Sequence, residues 1–181
     1  MKMHRRDFIK KTVVTSTLLS TGVLAGCTPT QSVSEWFEQS IKRLKSLQQQ
    51  RLTFTGPWQA FATFSHLAES IEFSLAGFPQ QKSTSFKTWV GKPAFSLFKA
   101  IGKMKHNTAE PIPGAMPLDH TITDPDAINA AIARVIDALL AFQNSSVIYP
   151  HFAYGDLSHD DYLIAHLLHI DDHLTLLTTD V

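Results

Sequence analysis

The sequence predicts an all-α fold, a four-helix bundle with a long crossover connection between its second and third helices. Three observations predict it. Four long segments carry apolar residues three and four positions apart, the spacing that lines one face of a helix. No alternating strand pattern with hairpin turns lies between them. The stretch from Phe78 to His120 is too long for a turn, and Pro111, Pro113, Gly114 and Pro117 make its later part a rigid, extended loop.

The first helix is expected over Val33 to Gln50. Ser32 and Glu35 have capping-box spacing, and Phe37, Ile41, Leu44 and Leu47 or Gln48 follow a 3–4 rhythm opposite a face of Gln, Lys and Arg. The second is expected from Pro57 to Ala76, with Pro57 in the first turn, Gly77 as terminator and Pro79 beyond it. Its apolar stripe is Phe61, Phe64, Leu67 or Ala68, Ile71 and Leu75. Within the crossover a helical piece is expected around Pro93 to Lys105. The third long helix begins at Thr123, has Pro125 in its first turn and runs to about Gln143. Its residues Ile128, Ile132, Val135, Leu139 and Phe142 repeat as the seam of a bundle does. The last begins at Ser158, with Asp161 three positions on, and continues to about Leu177.

Composition limits the functional classes. A chain of 181 residues with 44% apolar residues is large enough to bury a core as one domain. One cysteine excludes an intramolecular disulfide, and 16 Lys+Arg against 16 Asp+Glu is not the balance of a polybasic nucleic-acid binder, so no nucleic-acid partner is expected. The nine histidines are the count that stands out.

Residues 1–26 read as an address, and residues 27–181 as the mature domain. Arg5 and Arg6, followed by Asp7, Phe8, Ile9 and Lys10, resemble the twin-arginine consensus, through which a translocation machinery carries folded cargo across the bacterial inner membrane. His4 departs from that pattern, which prefers Ser or Thr before the pair. The apolar run Thr12 to Ala25 is short for a bilayer-spanning helix, which needs about 20 residues. It ends in Leu24, Ala25, Gly26 and Cys27, which resemble the lipobox of bacterial lipoproteins. That resemblance implies cleavage before Cys27, acylation of its thiol and amine, and a protein held by membrane lipid on the periplasm-facing side of the cell envelope. The mature chain then contains no free thiol, and thiolate chemistry drops out. It carries 11 bases and 15 acids, with 10 bases and 4 acids over residues 27–105 but 1 base and 11 acids over residues 106–181. The acidic half contains the histidine-rich helix and attracts cations toward it.

That helix reads SHDDYLIAHLLHIDDHL, with His166, His169 and His173 at spacings of three and four on one stripe together with Tyr162. Imidazoles one turn apart can reach one metal ion, whereas His166 and His173, two turns apart, are separated by roughly 10 Å and cannot share it. One of the three therefore stands outside such a set. His66, in the middle of the second helix and at the edge of its apolar stripe, is the candidate third ligand. Asp171 and Asp172 allow the opposite reading, a solvated polar face with packed or exposed histidines.

His66-Leu67-Ala68 in the second helix, the long crossover and His169-x-x-x-His173 in the last helix together resemble the DinB-like superfamily of four-helix bundles, often called metal-dependent enzymes. More closely, HLAESIEFSLAGFP, GKMKHNTAEPIPGA and PHFAYGDLSHDDYLIAHLLHIDDHL resemble one DinB-related family of unknown function, over nearly all of the mature chain. The superfamily resemblance implies a divalent ion, nickel, zinc or iron, on three histidines, which match His66, His169 and His173. His166 is an extra to that set, and His151 in the loop before the last helix is a further candidate to approach the pocket. Three imidazoles without a carboxylate would lower the pKa of a bound water and polarise a ligand oxygen. Tyr162 and Glu69 are the candidate catalytic groups beside them, a proton donor and a general base or orienting group. The resulting expectation is an exported, metal-dependent hydrolase or transferase. Its alternatives are an envelope lipoprotein that binds metal or ligand without turnover, and a structural bundle without metal.

Overall fold

The computed structural model describes residues 32–48 and 50–179. Arg5, Arg6 and Cys27, with the rest of the export signal, lie outside the described residues. The described residues are mostly helical, with one small two-stranded sheet among them. Its elements are α1 (Val33–Leu47), β1 (Leu52–Phe54), α2 (Ala60–Ala76), α3 (Thr84–Phe86), a π turn (Lys87–Gly91), α4 (Lys92–Ile101), α5 (Pro125–Asn144), α6 (His159–Leu174) and β2 (Leu177–Thr179). Among the described residues no helix is long and apolar enough to cross a membrane.

Local chemistry fixes the helix starts. Ser32 and Glu35 form the reciprocal capping box of α1, with the Glu35 amide donating to Ser32 Oγ and the Ser32 amide donating to Glu35 Oε2. Ser158 Oγ accepts from the Asp161 amide at the head of α6. The cap of α5 is Asp124, one residue beyond the expected Thr123, because its carboxylate reaches the Ala127 amide. Helix α2 begins at Ala60 rather than Pro57, after Gln59, which makes no side-chain cap. Trp58 is thereby left outside the helix and folds over the site described below.

The long helices bury their stripes against one another: α2 packs on α5 and α6, and α1 packs on the same two. Leu44, Phe64, Leu67, Ile132, Val135, Leu139, Phe142 and Leu167 form the centre of the core. The stripe expected for α2 is too narrow, since the helix is buried on nearly every side from Ala62 to Ala68 while Phe61 and Leu75 are only half-buried.

Two segments differ from the sequence expectation. Helical structure in the crossover starts at Thr84, not Pro93, because Ser83 Oγ caps the Phe86 amide and the chain continues through the π turn into α4. Where no strand was expected, Leu52–Phe54 and Leu177–Thr179 pair antiparallel, with Thr53 opposite Thr178. Three-residue strands leave too short a pattern to read. The turn at Thr175 ends α6 at Leu174, before the expected Leu177. The ribbon ties the chain entering α2 to the chain leaving α6.

At Gly91, in the π turn, an added Cβ would sit on the Ala153 carbonyl, so backbone meets backbone with no flexible side chain to yield. Gly91→Ala is expected to lower stability by about 1–3 kcal/mol, as overpacking of this kind does, read as a lower urea midpoint with unchanged slope. The substitution Gly102→Ala, at a site with φ of +63° and open space around it, should cost about 1 kcal/mol through backbone strain alone.

Candidate metal centre

Helix α6 presents His169 and His173 on one face, one turn apart, with ring centroids 4.8 Å apart. Helix α2 brings His66 against both, at 5.1 Å from each. The crossover supplies a fourth imidazole, His106, 4.8 Å from His169 and 5.0 Å from His173. One ligand atom from each of the four lies within 4.8 Å of all the others, so the group can hold a metal ion.

The nitrogens that meet are identifiable. Nε2 of His169 is 3.3 Å from Nε2 of His66 and 3.1 Å from Nε2 of His173. Ligands about 2.1 Å from one ion stand roughly 3.0–3.4 Å apart for angles between octahedral and tetrahedral. The fourth ring is oriented by a carboxylate. Asp172 is 3% exposed, and its Oδ2 accepts both the His106 amide (3.1 Å) and the Nδ1–H of the His106 ring (2.7 Å). That bond places a proton on Nδ1, so the neutral ring has its lone pair on Nε2, which is buried and has no hydrogen-bond partner among the described residues.

The surroundings keep the three helix-borne imidazoles, His66, His169 and His173, neutral. Burial, with His106 adding to it, pushes His66 down to about 3; burial, with His66 and His106 adding, pushes His173 down to about 2. His169 lies well below the usual histidine range, again chiefly through burial. A buried set of imidazoles that resists protonation is a set of available lone pairs. Trp58 covers it, edge-on to His66 at 4.9 Å and stacked on His173 at 6.2 Å.

The remaining candidates fall elsewhere. His166 is buried, but its Nε2 lies 3.2 Å from Ser74 Oγ and its ring stacks on Tyr162. Tyr162 is fully buried with its hydroxyl unpartnered, and burial raises its pKa far above the ordinary phenol value. Glu69 is half-buried near Arg134, with its pKa raised mainly by burial. Neither Tyr162 nor Glu69 lines the cavity that adjoins the cluster. His151 does line it, together with His66, His106, His166 and His169.

Sequence reasoning missed His106 and Asp172. His106 sits in irregular chain, where no helical spacing marks a ligand. The available signal was that the crossover contains two histidines, His106 and His120, as candidates to reach a site shared by α2 and α6. Asp171 does behave as a surface group, accepting from Trp36 Nε1 at 3.0 Å and pairing with Arg43 at 3.2 Å, whereas its neighbour Asp172 turns inward.

Residues 34–180 match a family described as a protein of unknown function, DUF1569, and the chain belongs to that family. No curated protein matches the chain, and no solved structure does.

The depressed histidines set a pH dependence for the chelated protein. Protons bind the unfolded chain below its ordinary histidine value near 6.5 but enter folded His66 and His173 only near 3 and 2, so stability is complete above about 6.5 and falls with pH below it. Each such group contributes a slope of at most about 1.4 kcal/mol per pH unit. Urea denaturation at pH 7.5 and 5.5 should show a clear loss at the lower pH, and His173→Leu should flatten it. An equal slope in that variant would show that His173 is not the buried neutral group described.

Proposed function

We propose that the chain is a DinB-like four-helix bundle, carried out by the twin-arginine route and anchored to the envelope through Cys27, in which a divalent ion on His66, His106, His169 and His173 serves a hydrolase or transferase reaction. The observation that carries this reading is the convergence of four imidazoles from three separate segments, the fourth of them aimed by a buried carboxylate. Isolated core histidines are satisfied by ordinary acceptors, as His166 is by Ser74. These four instead face one another.

Nickel, zinc or iron would suit a set of neutral imidazoles. Such an ion supplies a Lewis acid that polarises a ligand oxygen and acidifies a bound water. The chain's own residues do the rest. His66, His169 and His173 are held by two packed helices, so their spacing is fixed before anything binds. Asp172 holds His106 in the tautomer whose Nε2 can ligate. Trp58 excludes water from one side, while the cavity reaches His66, His106 and His169 from the other and leaves room for a small molecule. The packing of α1, α2, α5 and α6 and the long crossover support the DinB-like assignment. The twin-arginine and lipobox motifs support export and anchoring.

A second reading, binding without turnover, is favoured by the ligand count. Four protein nitrogens close a tetrahedral site, whereas a catalytic zinc keeps one position open. The discriminating residue is His106, because its removal would open such a site.

Metal analysis of the full chain tests the proposal. About one ion per chain is expected, with near-complete loss in the His169→Ala, His173→Ala double variant. In Asp172→Asn, which disturbs the orienting bond, affinity should weaken by about 10–100-fold. Equal metal content in the wild type and the double variant would leave a structural bundle without metal as the better description.

A further inference from the structure

The cavity beside the histidines encloses about 340 Å³ and is walled mainly by Phe86, Val90, Met104, Ile112, Phe152 and Tyr154. Its charged lining residues, Lys82 and Glu110, are partly exposed and pair with each other at 3.7 Å. A body placed there loses water on apolar walls and meets no unpaired ionic group. The volume suits a compact molecule.

The cavity also contains a polar group that the metal reading does not use. His151, 7% exposed, stacks face to face on Tyr154 at 4.2 Å, in the turn closed by the paired backbone bonds of His151 and Gly155. Its Nδ1 accepts from the amides of Ala153 (3.1 Å) and Tyr154 (3.2 Å). A nitrogen accepting two N–H bonds carries no proton, so the neutral ring carries its proton on Nε2, for which no hydrogen-bond partner is found among the described residues. His151 is thus a fixed, uncharged donor beside the apolar side chains of Phe152 and Tyr154. We propose that the cavity binds a small, uncharged carbonyl compound with an aromatic or branched apolar body, whose acceptor oxygen takes the Nε2–H of His151. The inference deepens the metal reading, since the cavity is shared with His66, His106 and His169, but the His151 contact does not require an ion.

Acetophenone and acetone are suitable probes, tested first on the full chain stripped with chelator. Acetophenone should bind at least tenfold more tightly than acetone, shift the side-chain Nε2 resonance of His151, and lose at least fivefold in affinity in His151→Phe. Equal binding of the two ketones, or binding that leaves the His151 resonance unmoved, overturns the proposal even if the variant fails to fold. With zinc restored, benzohydroxamate should displace acetophenone at concentrations at least tenfold lower than acetohydroxamate does. A chain that takes up no zinc but still prefers acetophenone would sink the metal reading and leave this one standing. A zinc-loaded chain without that preference would do the reverse.

A separate observation concerns the outer surface of the crossover helices. Trp89, Pro93, Leu97 and Ile101 recur every four residues and are exposed, Trp89 at 80%, with Val90 exposed beside them. From Phe73 to Ala109 the chain contains six lysines and no acid. Lys92, Lys103 and Lys105 are exposed and form no ion pair among the described residues. An exposed apolar ridge bearing a tryptophan, set in an acid-free basic stretch, has the chemistry of an interfacial helix. We infer that this ridge rests on a bilayer surface rich in anionic headgroups. The full chain should be placed on vesicles of phosphatidylcholine with and without phosphatidylglycerol, in which brominated lipid quenches inserted tryptophan. Quenching should be strong on the anionic vesicles, disappear in Trp89→Phe, and fall by at least half in Lys92→Glu, Lys103→Glu, Lys105→Glu. The same quenching in the wild type and Trp89→Phe would refute the assignment.

Discussion

The contact on which the site depends is the bond between Asp172 and His106. A carboxylate as deeply buried as Asp172 costs several kcal/mol unless polar partners surround it, and here both partners come from one residue of the crossover, its amide and its ring. The crossover at this point is therefore part of the packed structure, pinned to the last turn of α6 between two histidines of the cluster. That bond places His106 itself against α6, beside the three histidines that the helices alone bring together.

The packing follows the same division. Helices α2 and α6 are rigid because their faces are filled by apolar side chains such as Phe64, Leu67 and Leu167. Their histidines inherit that rigidity, and their neutrality comes from the same burial. The cavity opens where this packing stops, between α6, the π turn and the turn around His151. Close approach of Gly91 to the Ala153 backbone sets how tightly that side of the cavity is drawn in. Core and site are one construction viewed from two sides.

What could be read from the sequence was what is decided locally. The starts of α1 and α6 depend on Ser32 with Glu35 and on Ser158, a few residues acting on their own backbone, and they stand where the spacing put them. His169 and His173 share a face because helix geometry requires it, and His66 was recognised by its place beside an apolar stripe. His106, the inward turn of Asp172 and the β1–β2 ribbon depend on where distant segments meet. Asp171 and Asp172 are adjacent and identical in type, yet one pairs with Arg43 at the surface and the other is buried. No periodicity distinguishes them.

The ribbon has a kinetic consequence. It joins Thr53 to Thr178, residues 125 apart along the chain, through strands of only three residues. So few bonds cannot offset the entropy of closing so large a loop until the helices have already docked. The ribbon therefore closes after helix docking has brought His66, His169 and His173 together, and only the native state holds all four histidines with the ribbon in place. Anything that binds them all favours that state over every earlier one, so occupancy of the site and completion of folding are thermodynamically linked.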